Sequence, residues 1–233
     1  MEIIKKSTRY FTRPELILLI SSVLTVTVPF IIFDGKGYLS LIASLFGVVA
    51  LILNAKGNPL GQVLVIIFSL LYAITSYKAQ YYGEMITYAC MTMPMALAAL
   101  ISWLRHPYRG NKSEVEVGCL KKWEYPFAVL LTTAVTLIFY FILATLGCAN
   151  LTVSTVSIAT SFAAVYLTFR RSPYFAVLYG LNDIVLIILW SLASRSTTEY
   201  VSVIACFVAF LANDAYGFIS WSRMRKKQRS SDV

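Results

Sequence analysis

One histidine, His106, stands in 233 residues, and the four cysteines show no metal spacing. Cys90 and Cys206 sit inside apolar runs, Cys119 in a basic loop and Cys148 in a short connection, and no CxxC occurs. The buried pair reads as small apolar filler, and no metal site or cofactor is expected. HExxH, GxSxG and GxxxxGK[ST] are all missing. Metalloprotease, hydrolase and P-loop chemistry therefore have no footing, and the chain does not read as an enzyme. Charge is scarce too. Asp, Glu, Lys and Arg make up 13% of the chain against 58% hydrophobic residues, and mean hydropathy is +0.72. A soluble domain is about 45–50% apolar. An excess delivered in long blocks makes a polytopic membrane protein with lipid as its surroundings. The net charge of +9 is then a topology signal, and nucleic acid is not expected as a partner.

Eight apolar runs are long enough to cross a bilayer: 15–33, 38–54, 59–79, 82–104, 124–146, 150–169, 173–193 and 198–221. The first follows Lys5, Lys6, Arg9 and Arg13. It is too long for the core of a signal peptide and reads as an uncleaved helix. Most connections are short, such as DGKG (34–37), AKGN (55–58) and RRS (170–172), whereas 105–123 is long and charged. With a cytoplasmic N-terminus, 17 of the 20 Lys and Arg fall on cytoplasmic segments. Only Lys36, Lys78 and Arg195 lie outside. That asymmetry places both termini in the cytoplasm and makes the final RMRKKQR a tail for lipid headgroups.

An internal repeat follows. Ile101-Ser102-Trp103 with Arg105 recurs as Ile219-Ser220-Trp221 with Arg223, and Tyr82 and Tyr200 keep the same offset. Spans two to four thus correspond to spans six to eight. A triplet plus one linker is an even number of crossings, so the second triplet enters with the orientation of the first. The expected architecture is all-α. It has an N-terminal basic segment and extra helix (1–37), a first three-helix bundle (38–106), a basic loop and linker helix (107–149), a second bundle (150–222) and a basic tail (223–233). Matching small or polar stripes, Ser40, Ser44, Gly47, Leu51, Asn54 and Ser154, Ser157, Ser161, Ala164, Thr168, suit close helix packing and also the lining of a narrow path.

The polar groups inside the spans carry the functional reading. Asp183 lies ten residues into the run from Pro173 to Trp190, about 15 Å at the helical rise and so near the midplane. An aspartate there costs about 2.5–3.5 kcal/mol on insertion scales. It is kept for a packing hydrogen bond, for a cationic solute or as a proton site. Tyr179 and Trp190 share one face of this helix, with Asn182 and Asp183 between them. They suit either a lipid belt or stacking on a ligand. A second Asn–Asp pair, Asn213 and Asp214, sits in the last span beside Phe207, Phe210 and Tyr216. Span three carries Gln62, Ser69, Tyr72 and Ser76 on one face. Span four carries Glu84, Thr87, Tyr88 and Met91, then Pro94, whose missing N–H kinks a helix and suits a gate.

The stretches SFAAVYLTFRRSPYFAVLYGLNDIVLIILW (161–190), NDAYGFISW (213–221) and NAKGNPLGQ (54–62) resemble the PnuC family of vitamin transporters, whose usual solute is nicotinamide riboside. The resemblance covers roughly residues 36–227. It implies a 3+1+3 fold like that of the SWEET carriers, a homotrimer in the bacterial inner membrane, and facilitated diffusion made one-way by a separate cytosolic kinase. It also implies a mid-membrane site where aromatics sandwich a ring and amides hold the ribose. On matching positions those roles fall to Tyr179, Asn182, Trp190 and Asn213, with Gln62 and Tyr72 from the first triplet. Typical members are richer in Trp through the seventh span, where this chain has Tyr179. Members of the fold carrying thiamine, riboflavin or a deoxyribonucleoside, a proton-coupled symporter and a solute receptor are the alternatives.

Overall fold

A computed structural model describes residues 10–35, 37–78, 81–148, 150–194 and 200–231. Lys5, Lys6, Arg9, Lys36 and Arg195, which entered the charge count, lie outside the described residues. Eight helices are long and apolar enough to span a membrane: α1 Arg13–Asp34, α2 Tyr38–Ala55, α3 Leu60–Lys78, α4 Tyr82–Arg105, α5 Glu124–Thr145, α6 Leu151–Phe169, α7 Phe175–Ala193 and α8 Val201–Ser230.

The helices on either side of α5 pack in matching ways, and the two sets are here termed triplets. Within each triplet, α2 packs on α3 and α3 on α4, as α6 packs on α7 and α7 on α8. Between triplets the first helix of each meets the third of the other, α2 on α8 and α6 on α4. The repeated tryptophans hold those two seams. Trp103 Nε1 donates to Thr168 O at 2.9 Å, and Trp221 Nε1 donates to Asn54 O at 2.7 Å. Both rings are fully buried and meet at a centroid distance of 5.3 Å. Thr168 and Asn54 end the two small-residue stripes, where the last carbonyls of a helix lack intrahelical partners. Each bond contributes about 0.5–1.5 kcal/mol.

α1 lies against α8 and α2. Glu15, Ser22, Val26 and Phe30 form its buried stripe, while Ile17, Ile20, Leu24 and Ile31 point away. α5 packs on α6 and is otherwise barely buried. Two helices contain a wide π turn, Phe30–Asp34 after Pro29 and Thr87–Thr92 just before Pro94. The kink expected at Pro94 thus takes the form of a π segment. Such a segment spreads the lost i→i−4 bond over a widened turn and often marks a functional site.

The charged loop departs from an all-helical reading. β1 (Pro107–Tyr108) and β2 (Asn111–Val115) form an antiparallel hairpin around Arg109-Gly110. Both turn residues have positive φ, 47° and 78°, as a tight two-residue hairpin loop requires. The basic tail also differs from a free headgroup tail, because α8 continues through it to Ser230. Gln228 is buried there. Its Oε1 accepts from Val117 N at 2.8 Å, and its Nε2 donates to Val115 O at 3.1 Å. Val115 N reaches Gly57 O, and Gly118 N reaches Arg171 O. The loops expected on the positive side therefore meet at one end of the molecule, here termed the basic end.

Candidate functional site

Between the two triplets lies a cavity of about 60 Å³. Gly47, Ala50, Leu51 and Asn54 of α2 and Val65 and Phe68 of α3 form one wall. Tyr179, Asn182 and Asp183 of α7 and Phe207, Phe210 and Asp214 of α8 form the other. Tyr88 and Thr92 enter from the π turn of α4, and Ser161 from α6. Every core helix of both repeats thus reaches the same space. Gly47 is required there, because a Cβ on it would stand 2.2 Å from Phe210 Cζ.

The aromatic lining is a connected set. Phe68 meets Phe210 at 5.4 Å and Tyr88 at 5.8 Å, and Phe207 meets Phe210 at 5.8 Å. Against these faces stand the polar groups of α7 and α8. Thr160 Oγ1 and Ser157 Oγ lie 2.9 and 3.3 Å from Asn182 Oδ1. The carboxamide of Asn182 is thus held by its oxygen while the residue lines the cavity. The carboxyl groups of Asp183 and Asp214 lie within hydrogen-bonding range of each other. Asp183 Oδ2 and Thr92 Oγ1 receive or make no hydrogen bond among the described residues. A cavity less than half the ~150 Å³ that admits benzene is too small for a ring with a sugar, which enters only if the triplets part.

Of the nine residues singled out in the sequence, Tyr179, Asn182, Asp183 and Asp214 line this cavity. Trp190 lies one layer beyond it. Its Nε1 donates to Tyr72 Oη at 2.7 Å, and Tyr81 and Tyr200 pack on its ring at 4.9 and 5.2 Å. Tyr72 in turn touches Tyr88 at 4.4 Å and Phe207 at 5.8 Å. Trp190 and Tyr72 therefore form a plug across the triplets on the side away from the basic end. Gln62 Nε2 bonds Asn54 Oδ1 at 3.0 Å, so it fixes a lining residue without lining the cavity itself.

The other two residues are occupied by α1. Asn213 Nδ2 donates to Ser22 Oγ at 2.7 Å and to Ala209 O at 2.7 Å. Tyr216 Oη donates to Glu15 Oε1 at 3.0 Å. The structure adds Phe68, Tyr88, Thr92 and Ser161 to the lining. The small-residue stripe signalled Ser161 and the α4 polar face signalled Tyr88, while Phe68 and Thr92 carried no separate signal.

Comparison with known proteins places this architecture. Residues 37–223 match the family model for nicotinamide mononucleotide transporters. The chain belongs to that family. The nicotinamide riboside transporter PnuC of Neisseria mucosa is 25% identical over 200 residues, 84% of this chain and 76% of its own. The nicotinamide riboside transporter PnuC of Haemophilus influenzae is 23% identical over 194 residues, 82% of this chain and 81% of its own. The crystal structure of the vitamin B3 transporter PnuC has the same fold, with a TM-score of 0.82, 24% identity and 94% of each chain covered. The matched range takes in both triplets and leaves all of α1 outside.

Proposed function

We propose that this chain imports nicotinamide riboside across a bacterial inner membrane by facilitated diffusion, with both termini in the cytoplasm. One observation carries the reading. A small cavity between two three-helix bundles joins flat aromatic walls to a carboxamide and two carboxyl groups. Aromatic faces stack on a flat cationic ring, worth about 2 kcal/mol or more when desolvated. Amide N–H groups serve ribose hydroxyls. Family membership and the names of the two relatives support the same solute. The basic end, where the cation-rich loops gather, supports the cytoplasmic placement of the termini. Trapping by a cytosolic kinase belongs to the proposal, as does assembly into a homotrimer through the little-covered face of α5.

Uptake of labelled nicotinamide riboside into proteoliposomes tests the site. Asn182→Ala is expected to lower uptake about tenfold or more, the worth of one or two lost hydrogen bonds in a dry site. Unchanged uptake would remove Asn182 from the solute. A melting-point panel with nicotinamide riboside, thiamine, riboflavin and thymidine tests the solute, since a ligand of the folded state raises the midpoint.

A further inference from the structure

Charge inside the cavity is one-sided. Asp183 and Asp214 come from adjacent helices and are each 4% exposed. No described Lys, Arg or His lines the cavity. The titratable groups within electrostatic reach are Tyr179 on α7, Tyr88 on α4 and Cys206 on α8, none of which offers a positive charge. Two like charges side by side in a buried site cannot both persist, so the pair carries at most one negative charge. Asp183 Oδ2 has no donor, and Thr92 Oγ1, 4% exposed on the facing π turn, is also without a partner. Two residues lining one space, from different triplets, thus each keep a buried polar atom without a partner. A third acid, Glu84, is 2% exposed on α4 with Oε2 unpartnered, and it lies within reach of Tyr72 and Tyr88 on the side of the plug. Acids thus stand in the cavity and beside the plug, and none of them pairs with a described base.

We propose that Asp183 and Asp214 act as one singly charged carboxyl pair that selects solutes bearing one positive charge, as a pyridinium or thiazolium ring does. The inference rests on the cavity being the solute site and narrows what that site accepts. A monocation on the pair leaves a neutral assembly in a low-dielectric space. A neutral ring of the same shape leaves the negative charge uncompensated.

The test compares two solutes that differ by that charge. Purified protein is titrated with nicotinamide riboside, its neutral dihydro form, thiamine and thymidine, and binding is read by calorimetry. The wild type is expected to prefer nicotinamide riboside over the dihydro form about tenfold or more. In Asp183→Asn or Asp214→Asn that preference is expected to shrink toward unity while the neutral form still binds. Equal affinity for the two forms in the wild type overturns charge selection and leaves the nicotinamide riboside reading standing. A preference that survives in both variants overturns the role of the pair. Binding of thiamine without nicotinamide riboside removes the solute assigned above and keeps the selection of monocations. Binding of thymidine alone removes both.

Discussion

The buried acids of this transporter fall into two sets. At the basic end, Glu15 is matched by Lys56 at 3.0 Å and Glu124 by Arg170. In the interior, Asp183, Asp214 and Glu84 have no base among the described residues. The first set holds elements together. Glu15 closes the capping box of α1 by accepting from Thr12 N at 2.7 Å, and it also takes Lys56 and the hydroxyl of Tyr216. It thereby ties the helix outside the repeat to α2 and α8. A buried acid with a base is explained by architecture, and one without a base calls for a solute or a proton.

Removing a base from the first set gives the largest expected effect. Lys56→Met strands the carboxylate of Glu15 in a site 5% exposed, while Lys56 itself is 18% exposed. Solvent screening of the lysine reduces the full cost of breaking a buried pair, so the loss is expected near 1–3 kcal/mol. It is read as a lower melting point in detergent. Adding Glu15→Gln recovers most of the loss if the stranded charge is the cause.

The interior acids respond with the opposite sign. Asp183→Asn keeps the shape and removes the need to bury charge, so stability is expected to hold or rise by about 1 kcal/mol while cation transport falls. A melting point lowered as far as in Lys56→Met would erase the distinction between the two sets. The paired tryptophans refine the same comparison at about 1 kcal/mol. Trp103→Phe and Trp221→Phe each remove one bond to a helix-end carbonyl and are expected to cost similar amounts. Unequal losses would show that the two seams are not equivalent.

The spans were legible because hydropathy alone decides them. The run 15–33 became Arg13–Asp34, and 82–104 became Tyr82–Arg105. The last helix ran past its apolar limit to Ser230 because Gln228 and the hairpin give the basic tail a protein surface to pack on, a contact 113 residues apart that no local pattern carries. Within the site, Asp183 and Asp214 stood out as charges in apolar runs, and Asn182 stood out beside one of them. Trp190 shares their helix face, but face says nothing of depth, and Tyr72 from the other triplet intercepts its N–H. Phe68 lies in a run where aromatics facing lipid and aromatics facing a cavity look alike. The sequence placed α1 outside the repeat without saying where it docks, so the groups it occupies on α8 read as free.

That last ambiguity sets the smallest effect and the finest division. On α8, Asp214 reaches the cavity while its neighbours Asn213 and Tyr216 turn to α1. Tyr216→Phe removes one hydrogen bond to Glu15, which keeps Lys56 and Thr12 N, so the loss is expected at about 0.5–1 kcal/mol. Because the hydroxyl points away from the cavity, the affinity for nicotinamide riboside should stay within about twofold of wild type, under 0.5 kcal/mol. Measuring melting point and solute affinity on the same preparation separates the two roles. A normal melting point with weakened binding would move Tyr216 from the docking of α1 to the solute, and would place the boundary between the paired and unpaired acids one turn nearer the basic end.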